Sequence, residues 1–505
     1  MSRRLMRLAV AVAVVLGAAA TLAAATQQWP KSTMPPPLPA RNIAFPPYQI
    51  KTLPNGLQVV VVLHHEEPSV SFRLLIRAGA MQEPADKPGV ASFVASLINQ
   101  GTTTKSAEQI ADAIESAGGV VSVGSGNELS YINGAVIKDQ VDLVLGLAAD
   151  MVEHPAFAQE EIDRQRKQTL SSLQVSYDDP EYIADLVFDR LVFGFHPYGR
   201  PNDGTPESIG KITHDDLAVF ERTWFVPNNA LLAVVGDLTA DEALAAAQKA
   251  FGSWVRHDVP VVKATDPPPP SRRVVVIDRP GSAQTEIRVG HLAIAHTDPD
   301  YLPLDLAVRI LGGEGANRLF GILRTDRGLT YGASADIRAY KNGGEIVAQT
   351  DTKSPTTAET LRLLVDEYAR LQKEPVDSRE LRGAQDFMAG NFPLTIETPA
   401  AIAEQVLSRL FYGQDLKELE TYRDRVDRVT VGDVSRVSRA FLKPDQLSIV
   451  LVGDASVFVD DLKSLGFGDF ERIPLSQLDL NSPTLKRSTA SGRDPGRPRA
   501  PLPPE

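Results

Sequence analysis

Residues 211–237, KITHDDLAVFERTWFVPNNALLAVVGD, return 217 positions later as residues 428–454, RVTVGDVSRVSRAFLKPDQLSIVLVGD. No gap is needed to match Thr213 with Thr430, Asp216 with Asp433, Arg222 with Arg439, Pro227 with Pro444 and the closing Val235-Gly236-Asp237 with Val452-Gly453-Asp454. Both copies follow one physical plan: a threonine N-cap with an acid three residues on, an amphipathic helix, a proline-marked turn and an apolar strand halted at Gly-Asp. A period this long marks duplicated domains, because solenoid repeats are far shorter.

Each copy opens on strand-like runs. In LPNGLQVVVVLHHEEPSVSFRLLIRAGA (residues 53–80), Asn55-Gly56 and Glu67-Pro68 supply the turns, and in SRRVVVIDRPGSAQTEIRVGHLAI (residues 271–294) Pro280-Gly281 does so. Long amphipathic segments such as SAEQIADAIESAGG complete an α+β class, with two duplicated domains, each a mainly antiparallel sheet packed with helices. The expected limits are 48–256 and 272–472, joined by a proline-rich linker, 257–271, and followed by a disordered tail, 473–505, rich in proline and arginine.

A 505-residue chain with 43% hydrophobic and 23% charged residues has material for two cores. Arg3, Arg4 and Arg7 precede an unbroken apolar run ending in Ala23, Ala24 and Ala25, which reads as a signal peptide over residues 1–25. A single membrane anchor is the competing reading, and the alanine-rich end favours cleavage, export to the periplasm of a Gram-negative bacterium and no stable membrane insertion afterwards. Without those arginines the formal charge moves from −12 to −15, which argues against nucleic acid as a partner. With no cysteine, disulfides, thiolate metal sites and cysteine nucleophiles are excluded.

From NGLQVVVVLHHEEPSVSFRLLIRAGAMQEP through GVASFVASLINQGTTTKSAEQIADAIESAGG and HPYGRPNDGTPESIGKITHDDL, the chain resembles the insulinase or pitrilysin-like family of zinc metallopeptidases, over nearly all of residues 48–455. The resemblance implies a two-domain metallopeptidase clamshell. Catalytic members carry H-x-x-E-H on their first helix, where imidazoles at i and i+4 hold zinc and the glutamate activates its water. Here Ser92 and Ser96 stand for the histidines and Ala95 for the base; Ser172 occupies the expected third-ligand position and Gln165 that of a supporting glutamate. The implication is no metal on this chain and no catalytic residue of its own.

The segment GGEGANRLFGILRTDRGLTYGASADI resembles the family's second functional region, in which an arginine and a tyrosine seven residues apart bind substrate backbone; Arg324 and Tyr331 match that pattern. An arginine fork beside a phenol suits a developing oxyanion. By the same resemblance the chain is inactive alone: the non-catalytic, substrate-binding subunit of an exported zinc metalloendopeptidase heterodimer, with zinc on a paralogous peptidase partner and a peptide as substrate. A proteolytically inactive scaffold or peptide-binding protein of the same fold is the alternative. Other signals carry less: His64-His65 has no third metal ligand nearby, His196 reads as a loop residue, GGEGAN lacks the G-K-[ST] of a phosphate loop, and no G-x-S-x-G elbow supports a serine nucleophile.

Overall fold

Short, valine-rich, continuously apolar runs such as QVVVVL, ALLAVVG and SIVLVG suit strands buried on both faces, and the structure places them inside two six-stranded sheets. The structure, a computed structural model, describes residues 45–313 and 317–487. The expected signal peptide, residues 1–25, and residues 314–316 of GGEGAN lie outside them. The strands of the first sheet are β1 (Tyr48–Thr52), β2 (Gln58–Leu63), β3 (Ser69–Ile76), β4 (Val120–Ser125), β5 (Ser130–Ile137) and β6 (Ala230–Gly236). Those of the second are β7 (Arg273–Asp278), β8 (Gln284–Ala293), β9 (Ala333–Tyr340), β10 (Gly343–Lys353), β11 (Ser448–Gly453) and β12 (Glu471–Pro474).

The sheet orders, β1-β2-β6-β3-β5-β4 and β12-β7-β11-β8-β10-β9, superpose the duplication strand by strand except at one edge. That edge is β1, antiparallel to β2, in the first sheet and β12, parallel to β7, in the second. In each half the last strand of the repeat slots between the first two: β6 runs parallel to β2 and antiparallel to β3, as β11 does between β7 and β8. The runs flanking Glu67-Pro68 are therefore neighbours in sequence but not hairpin partners.

The repeated residues have structural reasons. Thr213 and Thr430 each close a capping box, accepting from the amides of Asp216 and Asp433 at 3.3 and 3.1 Å while those carboxylates accept from the threonine amides at 2.8 and 2.9 Å. A side chain on Gly236 would lie 2.3 Å from the Ser69 carbonyl oxygen, and one on Gly453 2.4 Å from Thr285 Oγ1, so both inserted strands end where only glycine fits.

The halves do not keep their cores to themselves. Helix Pro180–Phe193, from the first half, lays Ile183, Val187, Phe188 and Leu191 across Val275, Ile277, Val450 and Val452 of the second sheet. Its counterpart Pro399–Phe411 lays Ile402, Val406 and Leu407 across Val60, Val62, Leu231 and Val235 of the first. Each begins on a capping side chain, Asp179 or Thr398, followed by proline at its first position. At about 1.5–3 kcal/mol per large apolar side chain, baring one of these faces costs on the order of 10 kcal/mol, comparable to a domain's whole net stability. The exchange of helices is thus a condition of folding, and the linker lies along the surface as a strap, with Val259 and Val262 packed against the first core.

The tail begins later than the sequence suggests. Ile473 pairs in β12 and is fully buried, and Leu478, Leu480 and Leu485 pack with the exchanged helix Pro180–Phe193, so the expectation of disorder from residue 473 fails through residue 487. Arg190 on that helix fastens this segment, donating through Nε to the Leu480 carbonyl at 3.1 Å. Residues 488–505 lie outside the described residues. Among those described, no helix is long and apolar enough to cross a membrane.

Candidate functional site

Helix Val90–Leu97 starts at Gly89, whose φ of 98° admits the sharp entry. The amides of Gly89 and Ala91 donate to the Glu83 carboxyl at 3.0 and 2.7 Å, and full burial pushes that carboxyl up to about 8 against the pull of these donors. Val90, Phe93, Val94 and Leu97 face the core. Ser92 and Ser96 share the opposite side and line a cavity of about 240 Å³ with Gln165, Gln168, Thr169, Ser172 and Ser176 of helix Gln159–Tyr177, and with Asp203. The structure therefore brings Ser92, Ser96, Gln165 and Ser172 together; Ala95 is buried and is not part of the lining.

Ser92 donates to Asp203 Oδ1 at 3.2 Å, and Ser96 turns back to the Phe93 carbonyl at 2.8 Å. Hydroxyls and carboxamides are weak zinc ligands, and a lone carboxylate neither completes a tetrahedral set nor leaves a base. The donors present do not fit zinc, and among the described residues no group of acid or histidine side chains is able to hold a metal ion. His65 is engaged otherwise, 2.6 Å from Asp237 through Nδ1.

Arg324 lies on the widened, π-type turn Phe320–Asp326, a geometry that often marks functional positions. Its Nη1 donates to the Thr330 carbonyl at 3.2 Å and its Cζ lies 4.8 Å from the Tyr331 ring centroid. Tyr331 is 80% exposed, although the residues on either side of it are tightly held. Thr330 donates to the Gly332 carbonyl at 2.8 Å, Thr350 donates to that same oxygen at 2.9 Å, and Thr352 donates to the Leu329 carbonyl at 2.8 Å. Thr352 is itself met by Thr360 at 3.1 Å. A buried threonine ladder on β10 and the following helix thus fixes the backbone while presenting the phenol to solvent. No hydrogen bond or ion pair among the described residues joins this pair to the Ser92 cavity.

A second cavity, of about 460 Å³, opens beside Gly332 and was not singled out by the sequence reading. Arg288, Glu286, Glu181 and Asp351 line it. Arg288 is the sequence signal that was available: a charge inside the apolar strand TEIRVGHLA must either reach solvent or find buried partners.

Two sequence profiles match the chain: one described as Insulinase (Peptidase family M16) over residues 58–201, the other as Peptidase M16 inactive domain over residues 211–388. A protein of Mycobacterium leprae named as an uncharacterized zinc protease is 26% identical over 400 residues, 77% of this chain and 88% of the relative. The Bacillus subtilis zinc protease YmxG, also uncharacterized, is 23% identical over 78% of this chain and 95% of its own length. Among solved structures, a peptidase M16 inactive domain from Pseudomonas fluorescens aligns with a TM-score of 0.76 and 28% identity, covering 80% of this chain and 98% of that one. A Helicobacter pylori protease shares the fold, with a TM-score of 0.77 at 21% identity over 81% of this chain and all of that one.

Proposed function

Since the chain belongs to the insulinase-like peptidase family, we propose that it is the non-catalytic, substrate-binding subunit of an exported zinc metalloendopeptidase heterodimer, working in the periplasm. The observation that carries this reading is the exposed, pre-positioned Arg324–Tyr331 pair on a chain whose zinc-position cavity offers hydroxyls and amides in place of imidazoles. A scaffold with no part in catalysis has no use for an arginine fork and a phenol held ready in solvent by a ladder of buried threonines.

In this reading a zinc-bearing paralogous peptidase supplies the metal and its activated water. On this chain, the Arg324 guanidinium and the Tyr331 hydroxyl donate to carbonyl oxygens of the bound peptide, strengthening as charge builds on the scissile oxygen. Edge strand β4, against which helix Val90–Leu97 packs, has one side unpaired and is able to accept an extended peptide through main-chain hydrogen bonds.

The test is a three-way peptide cleavage assay: this chain alone, a zinc-bearing paralogue from the same organism alone, and the mixture. Activity confined to the mixture is the expected result. Chelator-sensitive cleavage by the isolated chain overturns the assignment, and a stable homo-oligomer that stimulates no paralogue favours the scaffold.

A further inference from the structure

The cavity beside Gly332 contains an arrangement that sheets normally avoid. In the β8/β10 ladder, Glu286 stands directly opposite Asp351, and Glu181 reaches the same space from the exchanged helix Pro180–Phe193. Like charges directly opposite destabilise a sheet. Asp351 is tethered there, accepting from Gln284 Nε2 at 2.6 Å. Burial raises the Glu286 carboxyl above its ordinary range, with Arg288 opposing and the repulsion of Asp351 and Glu181 adding to the rise.

One cation is present, and it is already committed. Arg288, 1% exposed, donates through Nε to Asp185 at 2.7 Å and through Nη1 to Glu286 at 3.1 Å. Its buried Nη2 has no hydrogen-bond partner and stays 3.6 Å from Glu181. The lining therefore holds three carboxylates against one guanidinium, together with one donor lacking an acceptor. The carboxylates are too spread for a metal ion, since no three acid or histidine side chains among the described residues converge to hold one.

We propose that this cavity is a subsite for a basic side chain of a bound peptide. The ammonium or guanidinium of that side chain sits among Glu181, Glu286 and Asp351. Gly332 in the lining follows Tyr331 directly, so a peptide held by the phenol passes the mouth of the cavity. The assignment rests on the peptide-binding reading above and gives it a substrate class.

The experiment uses the full chain without a partner. Fluorescent peptides, each carrying one lysine at a different position, are compared with a norleucine parent by anisotropy at low salt. At least one position gains about tenfold in affinity, and Glu181→Gln and Glu286→Gln each cut that gain below about threefold while binding the parent as before. Thermal melting verifies that both variants fold. A chain that binds no peptide, shows no lysine preference, or keeps its preference in both variants overturns the subsite. Lysine preference without cleavage by any mixture removes the paired-subunit reading alone; cleavage by a mixture without lysine preference removes the subsite alone.

Discussion

Arg324 and Tyr331 are already in contact in the free chain: the guanidinium carbon lies 4.8 Å from the ring centroid, and Nη1 is tied to the carbonyl of Thr330, the residue before the tyrosine. An exposed cation–π contact is worth about 0.5–1 kcal/mol, too little to stabilise the fold appreciably but enough to bias two side chains towards one orientation. The pair is organised before a ligand arrives.

Arg324→Lys keeps the charge and loses the planar fork. In the reconstituted mixture, kcat falls by about a hundredfold with KM changed only a few-fold, because the lost donor matters most when charge develops on the oxygen. Co-purification with the partner is unchanged. Steady-state kinetics on wild type and variant check both statements.

Restoring ligands tests the register of the zinc-position cavity. Ser92 and Ser96 are one helical turn apart and line it together with Ser172. The combined variant Ser92→His, Ser96→His and Ser172→Glu therefore acquires zinc affinity, seen as a melting temperature raised several degrees by zinc and lowered again by chelator. Wild type melts alike in both. A triple variant indifferent to zinc places the third ligand elsewhere on helix Gln159–Tyr177.

Phe188 is fully buried between a helix of the first half and the sheet of the second. Phe188→Ala removes about 3–5 kcal/mol of stability. Because of the exchanged helices, the loss extends beyond the second sheet: fluorescence of Trp224 and Trp254, both in the first core, shifts its denaturation midpoint together with the far-ultraviolet circular dichroism. A tryptophan transition that stays in place shows the halves unfolding independently.

Asp189, on the same helix, is pushed up to about 7, chiefly by burial, with Arg338 opposing and Asp185 adding to the rise. Glu345 across from it is raised in the same direction, again mainly by burial. Between the ordinary carboxyl range near pH 4 and about pH 7, the folded chain holds a proton that the unfolded chain has lost. Stability therefore declines as pH rises through this window, by at most about 1.4 kcal/mol per pH unit for one whole proton. Asp189→Asn flattens the decline, which melting curves from pH 5 to pH 8 record.

The fold was legible where sequence and local physics coincide. Thr213 and Thr430 announce helix starts because a hydroxyl cap and an acid three residues on satisfy open amides without outside help. The exchange was not legible: Ile183, Val187, Phe188 and Leu191 form a proper apolar stripe, but a stripe does not say which sheet it covers. The tail was misread because Ile473, Leu478, Leu480 and Leu485 are scattered among prolines, serines and acids without helix or strand period, and their burial depends on distant partners. At the site, a helical spacing of four placed Ser92 with Ser96, whereas the cavity around Arg288 needed the cross-strand register and a helix from over a hundred residues away.

The exchanged helices also set what one repeat is able to do alone. A chain cut at the proline-rich strap would leave each fragment with an orphan helix and a greasy sheet face that nothing of its own could cover. A single repeat meets that need only by trading the same helix with a second copy. The two halves of this chain stand in that relation, a reciprocal domain swap held within one polypeptide.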